Sequence, residues 1–583
     1  MNHKTFHPGF GVLLALALAF GAVARQGARG GIDAARLDRS CKPCDDFYQF
    51  ANGGWLAKNP LPPGYSRWGS FDVLYESNRE ALRRILEAAA KNNKAPAGSG
   101  EQLIGNFYTS CMDEAGIEAA GLKPLAADFE RIEKIRDAKD LAPVVARLHE
   151  EGVGALFSFF STPDAKENTR VIGMAAQGGL SLPNRDYYTD DDEKSKQVRA
   201  EFVKHVRMMF ELMSDEPGQA SAAADTVMSL QTKLAKASMT PVELRDPDAT
   251  YHLMKVGQLA ALAPNFSWES YLAARRAPRG GEVNVGQPEF FREVNTLLAS
   301  APVADWKIYL RWQLIDAVAA LLPGKFERQN FNFYGRVLEG KSEMLPRWKR
   351  CVAATDGALG EALGQAYVKS EFSPGSKARM EEMIRNLLAA FRDRLARLDW
   401  MSEETRRQAY AKLDAFKFDK IGYPAKFRDY AGLRVGRDSY LENTRRASVF
   451  EVARQLNKIG RPVDRAEWLM TTPEVNAYFH TYNVEIVFPA GILQPPFFNP
   501  RADDAINYGA IGGVIGHEIT HGFDDEGSKY DARGNLRVWW SPTDRAKFEE
   551  RSACVVGQAD ATKSADGTPM TGKLVAGEAI ADL

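Results

Sequence analysis

The chain has 583 residues, 45% hydrophobic and 26% charged, with 75 basic against 76 acidic side chains. That balance is globular and excludes a disordered polyelectrolyte. It gives no electrostatic reason to invoke nucleic acid or an anionic membrane as partner. The length exceeds what one hydrophobic core fills, so two or more units are expected, with room for a crevice between them.

In chain order, His3 and Lys4 precede an apolar run over 10–20, and Ala22-Val23-Ala24 supplies a small-x-small cleavage site. This reads as an export signal over residues 1–24. A secreted or periplasmic chain is expected, with no membrane span once the signal is removed. The run is shorter than the ~20 residues that cross a bilayer, and no cysteine follows it as a lipid attachment point. Five cysteines are an odd count for an exported chain. Cys41 and Cys44 form a lone C-x-x-C, which suits a local disulfide or a pairing to a distant cysteine better than a zinc ribbon. The spacing of Cys111, Cys351 and Cys554 does not pair them.

From residue 78 to 428 helical periodicity dominates, for example over 80–90, 198–213 and 376–398, with a Pro/Gly-rich break over 276–288. Its apolar stripes are expected to be core, and the charged stretch 190–196 a solvated face or turn. Beyond Thr471 the texture changes. Residues 475–488 are β-branched and aromatic, as in a strand or strand pair, and 491–500 form a Pro/aromatic connection. A helix is expected over 506–522, ended by Phe523-Asp524-Asp525 before a loop at Gly527. A turn is expected over 531–534 and a further helix over 542–557.

The helix at 506–522 carries His517-Glu518-Ile519-Thr520-His521, an H-E-x-x-H. Residues four apart share a helix face, so both imidazoles can reach one zinc ion while Glu518 stands beside a water-filled position as general base. A zinc hydrolase is the chemistry this pattern points to. Chance produces the motif on the order of once per hundred such chains, so its surroundings decide. The remaining histidines, His3, His7, His149, His205, His252 and His480, are scattered and read as surface or satisfied core imidazoles.

A peptidase zinc takes a third protein ligand and leaves the fourth position to water. Glu578, in Gly577-Glu578-Ala579-Ile580-Ala581-Asp582, lies far enough from His521 to sit on a separate helix packed beside the first. Asp582, four residues on, would accept the free imidazole N–H of His517, and Asp524 that of His521.

At this point several stretches together resemble the neprilysin and endothelin-converting-enzyme family of zinc metallopeptidases. They are CDDFYQFANGGW at 44–55, LPNRDYY at 182–188, NAYF at 476–479, VFPAGILQPPFF at 487–498 and VIGHEITHGFDD at 514–525. The resemblance implies a mainly α fold with small β elements: a two-lobed, zincin-type metallopeptidase around a large internal cavity that admits oligopeptides and excludes folded proteins. It implies a catalytic lobe assembled from residues 25–77 and 429–583, and a helix-rich capping lobe over 78–428. One Zn2+ per chain would be held by His517, His521 and Glu578. Glu518 would be the base, with Asp524 and Asp582 as supporting acids. Asn476 and Ala477 match the pair that binds the substrate backbone, as an added strand would require. Phe71, Ile492, Phe497 and Val514 match the lining of the pocket for the residue after the scissile bond, which should prefer bulky apolar side chains. Arg67 matches a clamp for the peptide's carboxyl-terminal side. A Cys111–Cys351 disulfide is implied by the match alone.

The chain also departs from the pattern. Tyr75 stands where well-known members carry a second arginine, and Ala579 where asparagine is usual. Family members continue for roughly a hundred residues past Asp582, about a small domain's length. That tail carries a histidine and an arginine that stabilise the oxyanion. A truncated chain is therefore expected, and the alternative to an active endopeptidase is a fragment that binds zinc or peptide without turnover.

Overall fold

The computed structural model describes residues 33–373, 375–564 and 567–583, so the export signal expected over 1–24 lies outside the described residues. The fold is mainly helical, with two small sheets distributed over two lobes. Helices α1 (Ser70–Lys91) and α2 (Gly100–Met112) precede the main body of the lobe that the sequence leads one to expect as the cap. That lobe contains α3 (Glu193–Leu212), α4 (Pro217–Ala237), the short α5 (Pro241–Leu244) and α6 (Val303–Val318). Its four-stranded sheet joins β1 (Phe157–Pro163), β2 (Val171–Gln177), β3 (Leu253–Lys255) and β4 (Glu282–Val285) in the order β1-β2-β4-β3. One apolar cluster drawn from 125–333, with Trp306, Tyr309 and Trp312 at its centre, fills this lobe, and Leu441 and Leu456 complete it.

The rest of the chain supplies α7 (Arg347–Glu371), α8 (Gly375–Ala396), α9 (Glu403–Asp414), α10 (Tyr440–Leu456), α11 (Ile511–His521) and α12 (Gly572–Asp582). A second sheet contains β5 (Ile421–Gly422), β6 (Tyr478–His480) and β7 (Glu485–Pro489) in the order β5-β7-β6. Strand β6 pairs antiparallel with β7, Tyr478 opposite Val487, and stands at the sheet's edge. The segment read as a strand or strand pair is thus a hairpin whose outer member has no further strand beside it among the described residues.

The apolar clusters divide the chain differently from the expected 78–428 capping span. Residues 380–421 pack with Leu74 and with 475–540, the cluster that includes α11. Leu441 and Leu456 of α10, expected in the zinc lobe, belong instead to the capping cluster. Periodicity identifies the apolar face of a helix but not the element that covers it. A third cluster joins α1, α2 and α7 with residues 430–440 and Ala490.

Helix α11 contains Gly512, Gly513 and Gly516, which disfavour helix, so packing must hold it. Ile511, Ile515 and Ile519 recur every fourth residue and are completely or almost completely buried. Burial of each stabilises by about 1.5–3 kcal/mol. This stripe turns His517 and His521 to the opposite side. The expected single helix over 506–522 is in fact two, Asp504–Gly509 and α11, broken at Ala510 with φ −112° and ψ −92°. The helix expected over 542–557 runs Pro542–Asp560.

Cys111 and Cys351 form a disulfide between α2 and α7 across a sequence separation of 240, while Cys41, Cys44 and Cys554 are free thiols. Closing so long a loop restricts the unfolded chain strongly. Replacing both bonded cysteines by serine is expected to lower the unfolding free energy by about 2–5 kcal/mol, measured by denaturant titration beside the untreated and the reduced wild type. Coincident curves would show that the disulfide contributes nothing to stability.

Candidate metal centre

Helix α12 packs against α11, and its buried residues, Gly572, Ala576, Gly577 and Ala581, are all small. The result brings three expected ligands together. The Nε2 atoms of His517 and His521 lie 2.9 Å apart, and Glu578 Oε2 lies 3.3 Å from the first and 4.0 Å from the second. On the other side of each ring, Nδ1–H of His517 donates to Asp582 Oδ1 and Nδ1–H of His521 donates to Asp524 Oδ2, both at 2.8 Å. A carboxylate can only accept, so each Nε2 is left as a lone pair facing the common point. Zinc bonds of about 2.0–2.1 Å in a tetrahedron place donors roughly 3.3 Å apart, and the three separations bracket that value. The donor set therefore fits zinc. Among the described residues it is the one group of three or more His, Cys, Asp or Glu that meets this spacing.

Asp524 is itself held. Its Oδ1 accepts from the backbone N–H groups of Glu526 and Gly527, at 3.0 and 2.6 Å. Only glycine fits at 527, because a Cβ there would meet His521 O at 1.8 Å. Burial works against charge on His521, yet the Asp524 carboxylate outweighs it and raises the ring's pKa. Glu518 is buried, with Oε2 lacking a hydrogen-bond partner among the described residues. Burial pushes its carboxyl up to about 7, with His521 and His517 pulling the other way. A dication at the donor set would favour the ionised form further.

A cavity of about 390 Å³ contains His517, Glu518, His521 and Glu578 on one wall, and Asn476 and Ala477 on another. Asn476 also borders a second cavity of about 700 Å³, lined by Arg67, Phe71 and Tyr75. Arg67 is largely exposed, 3.7 Å from Asp72. Phe71 is 41% exposed, and its ring centroid lies 4.4 Å from that of Phe497. Ile492 and Val514 pack in the apolar cluster with Phe497, and Ile492 is fully buried. None of those three lines the wall of either cavity, and Phe71 lies against Phe497.

Two family models match the chain, both described as peptidase family M13, over residues 43–424 and 476–583. The chain belongs to peptidase family M13. Endothelin-converting enzyme 1 of Rattus norvegicus is 34% identical over 94% of this chain and 73% of its own length. Neprilysin-3 of Drosophila melanogaster is 31% identical over 94% and 72%. The zinc metalloprotease Zmp1 of Mycobacterium tuberculosis, solved with an inhibitor, superposes with a TM-score of 0.92 at 38% identity, covering 95% of this chain and 85% of that one. M13 peptidases are zinc-dependent, and this chain is a zinc metalloendopeptidase. No helix among the described residues of the M13 chain is long and apolar enough to cross a membrane.

Sequence reading missed two residues that meet the loop after α11. Lys412 of α9 is buried, and its Nζ donates to the carbonyls of Gly527 and Tyr530, each at 2.7 Å. Arg245, at the end of α5, crosses from the capping lobe to Asp525 and Glu526. A lone basic residue more than a hundred positions upstream carries no local signal. Burial lowers the pKa of Lys412 to about 7, against the pull of Asp524 and Asp531, and two carbonyls match the two donors of a neutral amine. The unfolded chain therefore holds a proton that the folded chain releases between about pH 7 and 10.5, so stability rises with pH across that window. Lys412→Met removes the effect. The unfolding free energy of wild type minus variant is expected to grow from pH 7 to 10 in denaturant titrations, and a flat difference would refute the assignment.

Proposed function

We propose that the chain is an exported endopeptidase that cleaves oligopeptides on the amino side of bulky apolar residues. In this reading one zinc ion is held by His517, His521 and Glu578, and Glu518 serves as general base. The observation that carries the reading is the convergence of three donor atoms within 4.8 Å beside a buried carboxylate. Bound zinc would supply Lewis acidity to the attacked carbonyl and lower the pKa of the attacking water. Glu518 takes that water's proton and returns it to the leaving amine, so a single carboxylate acts first as base and then as acid. Asp524 and Asp582 keep the Nδ1 protons in place, so that both Nε2 lone pairs stay turned to the centre.

The edge position of β6 suits an extended peptide, which would pair with the backbone beginning at Asn476 and Ala477. A bulky side chain after the scissile bond would meet Phe71, with Phe497 behind it and Ile492 and Val514 supporting the wall. Arg67, exposed in the adjoining cavity, is placed to pair with the peptide's carboxyl-terminal side. An oxidising, extracytoplasmic compartment agrees with the Cys111–Cys351 disulfide and with the expected signal.

The test is hydrolysis of quenched-fluorescent peptides with zinc content measured in parallel. Glu518→Gln is expected to lower kcat by about 10²–10⁴ while zinc stays bound, and a chelator should abolish turnover. Wild-type rates in that variant, or turnover indifferent to the chelator, would defeat the mechanism. Phe71→Ala is expected to cut kcat/KM by about tenfold for peptides with Phe or Leu after the scissile bond, and by less for Ala. An equal loss on both substrates would remove Phe71 from the specificity wall.

A further inference from the structure

Arg245 is the one arginine or lysine on the wall of the metal cavity among the described residues, and it comes from the opposite lobe. Its Nη2 lies 3.0 Å from Asp525 Oδ2 and 2.9 Å from Glu526 Oε1, and its Nε is buried without a hydrogen-bond partner among the described residues. The next residue makes the reciprocal contact, Asp246 Oδ1 to Lys529 Nζ at 2.8 Å. Both pairs land on the loop whose first residue, Asp524, holds His521. The same guanidinium touches the third element of the site. A Cβ on Gly577, the residue before Glu578, would meet Asp525 Oδ1 at 2.9 Å, Asp524 Oδ2 at 3.0 Å and Arg245 Nη2 at 3.2 Å. The bare face of Gly577 is what lets the Arg245–Asp525 pair lie between the loop and α12.

The charge balance makes this contact more than surface adhesion. Asp524, Asp525 and Glu526 are consecutive, and Glu578 lies in the same cavity as Asp524 and Glu526. Without a cation between the loop and α12, these carboxylates repel α12, which carries the third proposed ligand. Exposed ion pairs between lobes contribute little by themselves. These two pairs instead fix the position of the group that orients His521, and groups that orient ligands commonly change metal affinity by about 10- to 100-fold when removed.

We propose that Arg245 and Asp246 are positioning residues for the metal centre, supplied by the capping lobe. Their reciprocal ion pairs hold the loop over 524–529 and seat it against α12, so docking of one lobe completes the metal site of the other. The proposal rests on reading the donor set as the zinc site of a peptidase.

A charge swap in the full chain tests it. Asp246→Lys and Lys529→Asp are each expected to weaken zinc binding by about tenfold in competition with a chromophoric chelator. The double variant restores the pair with its charges exchanged and should recover to within about threefold of wild type. Arg245→Met should lower zinc affinity and kcat with KM little changed, and Arg245→Lys should recover part of both. Amide hydrogen exchange over 522–530 in the metal-free protein should accelerate in the single variants and slow again in the double. That second reading needs neither zinc nor turnover, so it separates a failure of this coupling from a failure of the peptidase assignment. Single variants that match wild type in zinc affinity and exchange, or a double no better than the worse single, would overturn the proposal.

Discussion

Two imidazole lone pairs held 2.9 Å apart, with a carboxylate oxygen 3.3 Å from one of them, repel each other unless a cation lies among them. Folding alone does not make this arrangement favourable, so the surrounding structure must impose it. The isoleucine stripe of α11 turns the rings outward, Asp524 and Asp582 fix their protons on the far nitrogens, and the small face of α12 brings Glu578 near. Each of these is a packing or hydrogen-bonding constraint that works against local repulsion. The stability that maintains them comes from the apolar cluster behind the site.

The loop after α11 is where those constraints meet. From below, Lys412 binds two of its carbonyls, and from across the cavity Arg245 and Asp246 bind its side chains. Between them, the two N–H groups on Asp524 Oδ1 place one carboxylate oxygen so that the other faces His521. A loop free to move would leave the ring free to rotate. Holding it from two sides fixes the orientation of the His521 ring from a segment whose only regular structure is the single short turn Gly527–Lys529.

Much of the site was legible because its parts are local. The four-residue spacing of His517 and His521, the acid three positions on and the four-residue spacing of Glu578 and Asp582 are helix-surface relations that sequence shows directly. The hairpin over 478–489 was legible for the same reason. What stayed hidden is long-range. Nothing in the periodicity of α8 and α9 says that α11 covers them, and nothing around Arg245 says which lobe it faces. The contact of Phe497 with Phe71 depends on α1, encoded some four hundred residues earlier, and the break at Ala510 interrupts an otherwise continuous helical pattern.

The segregation of the apolar clusters also bears on the order in which the protein can acquire structure during synthesis. The capping core lies almost entirely within one continuous stretch, 125–333, so most of its burial partners exist before the later part of the chain is made. The second core is discontinuous: Leu74 is made early, but its partners begin at Met380 and extend to Trp540. Domains form preferentially from the N-terminal side as the chain emerges. The lobe with the proposed metal ligands must therefore be the last to close, around a partner that is already folded. Leu74 lacks its core partners for most of that interval, while the following turns of α1 already have α2 to pack on, so the long wait between α1 and α11 is the stage at which a chaperone would be most useful.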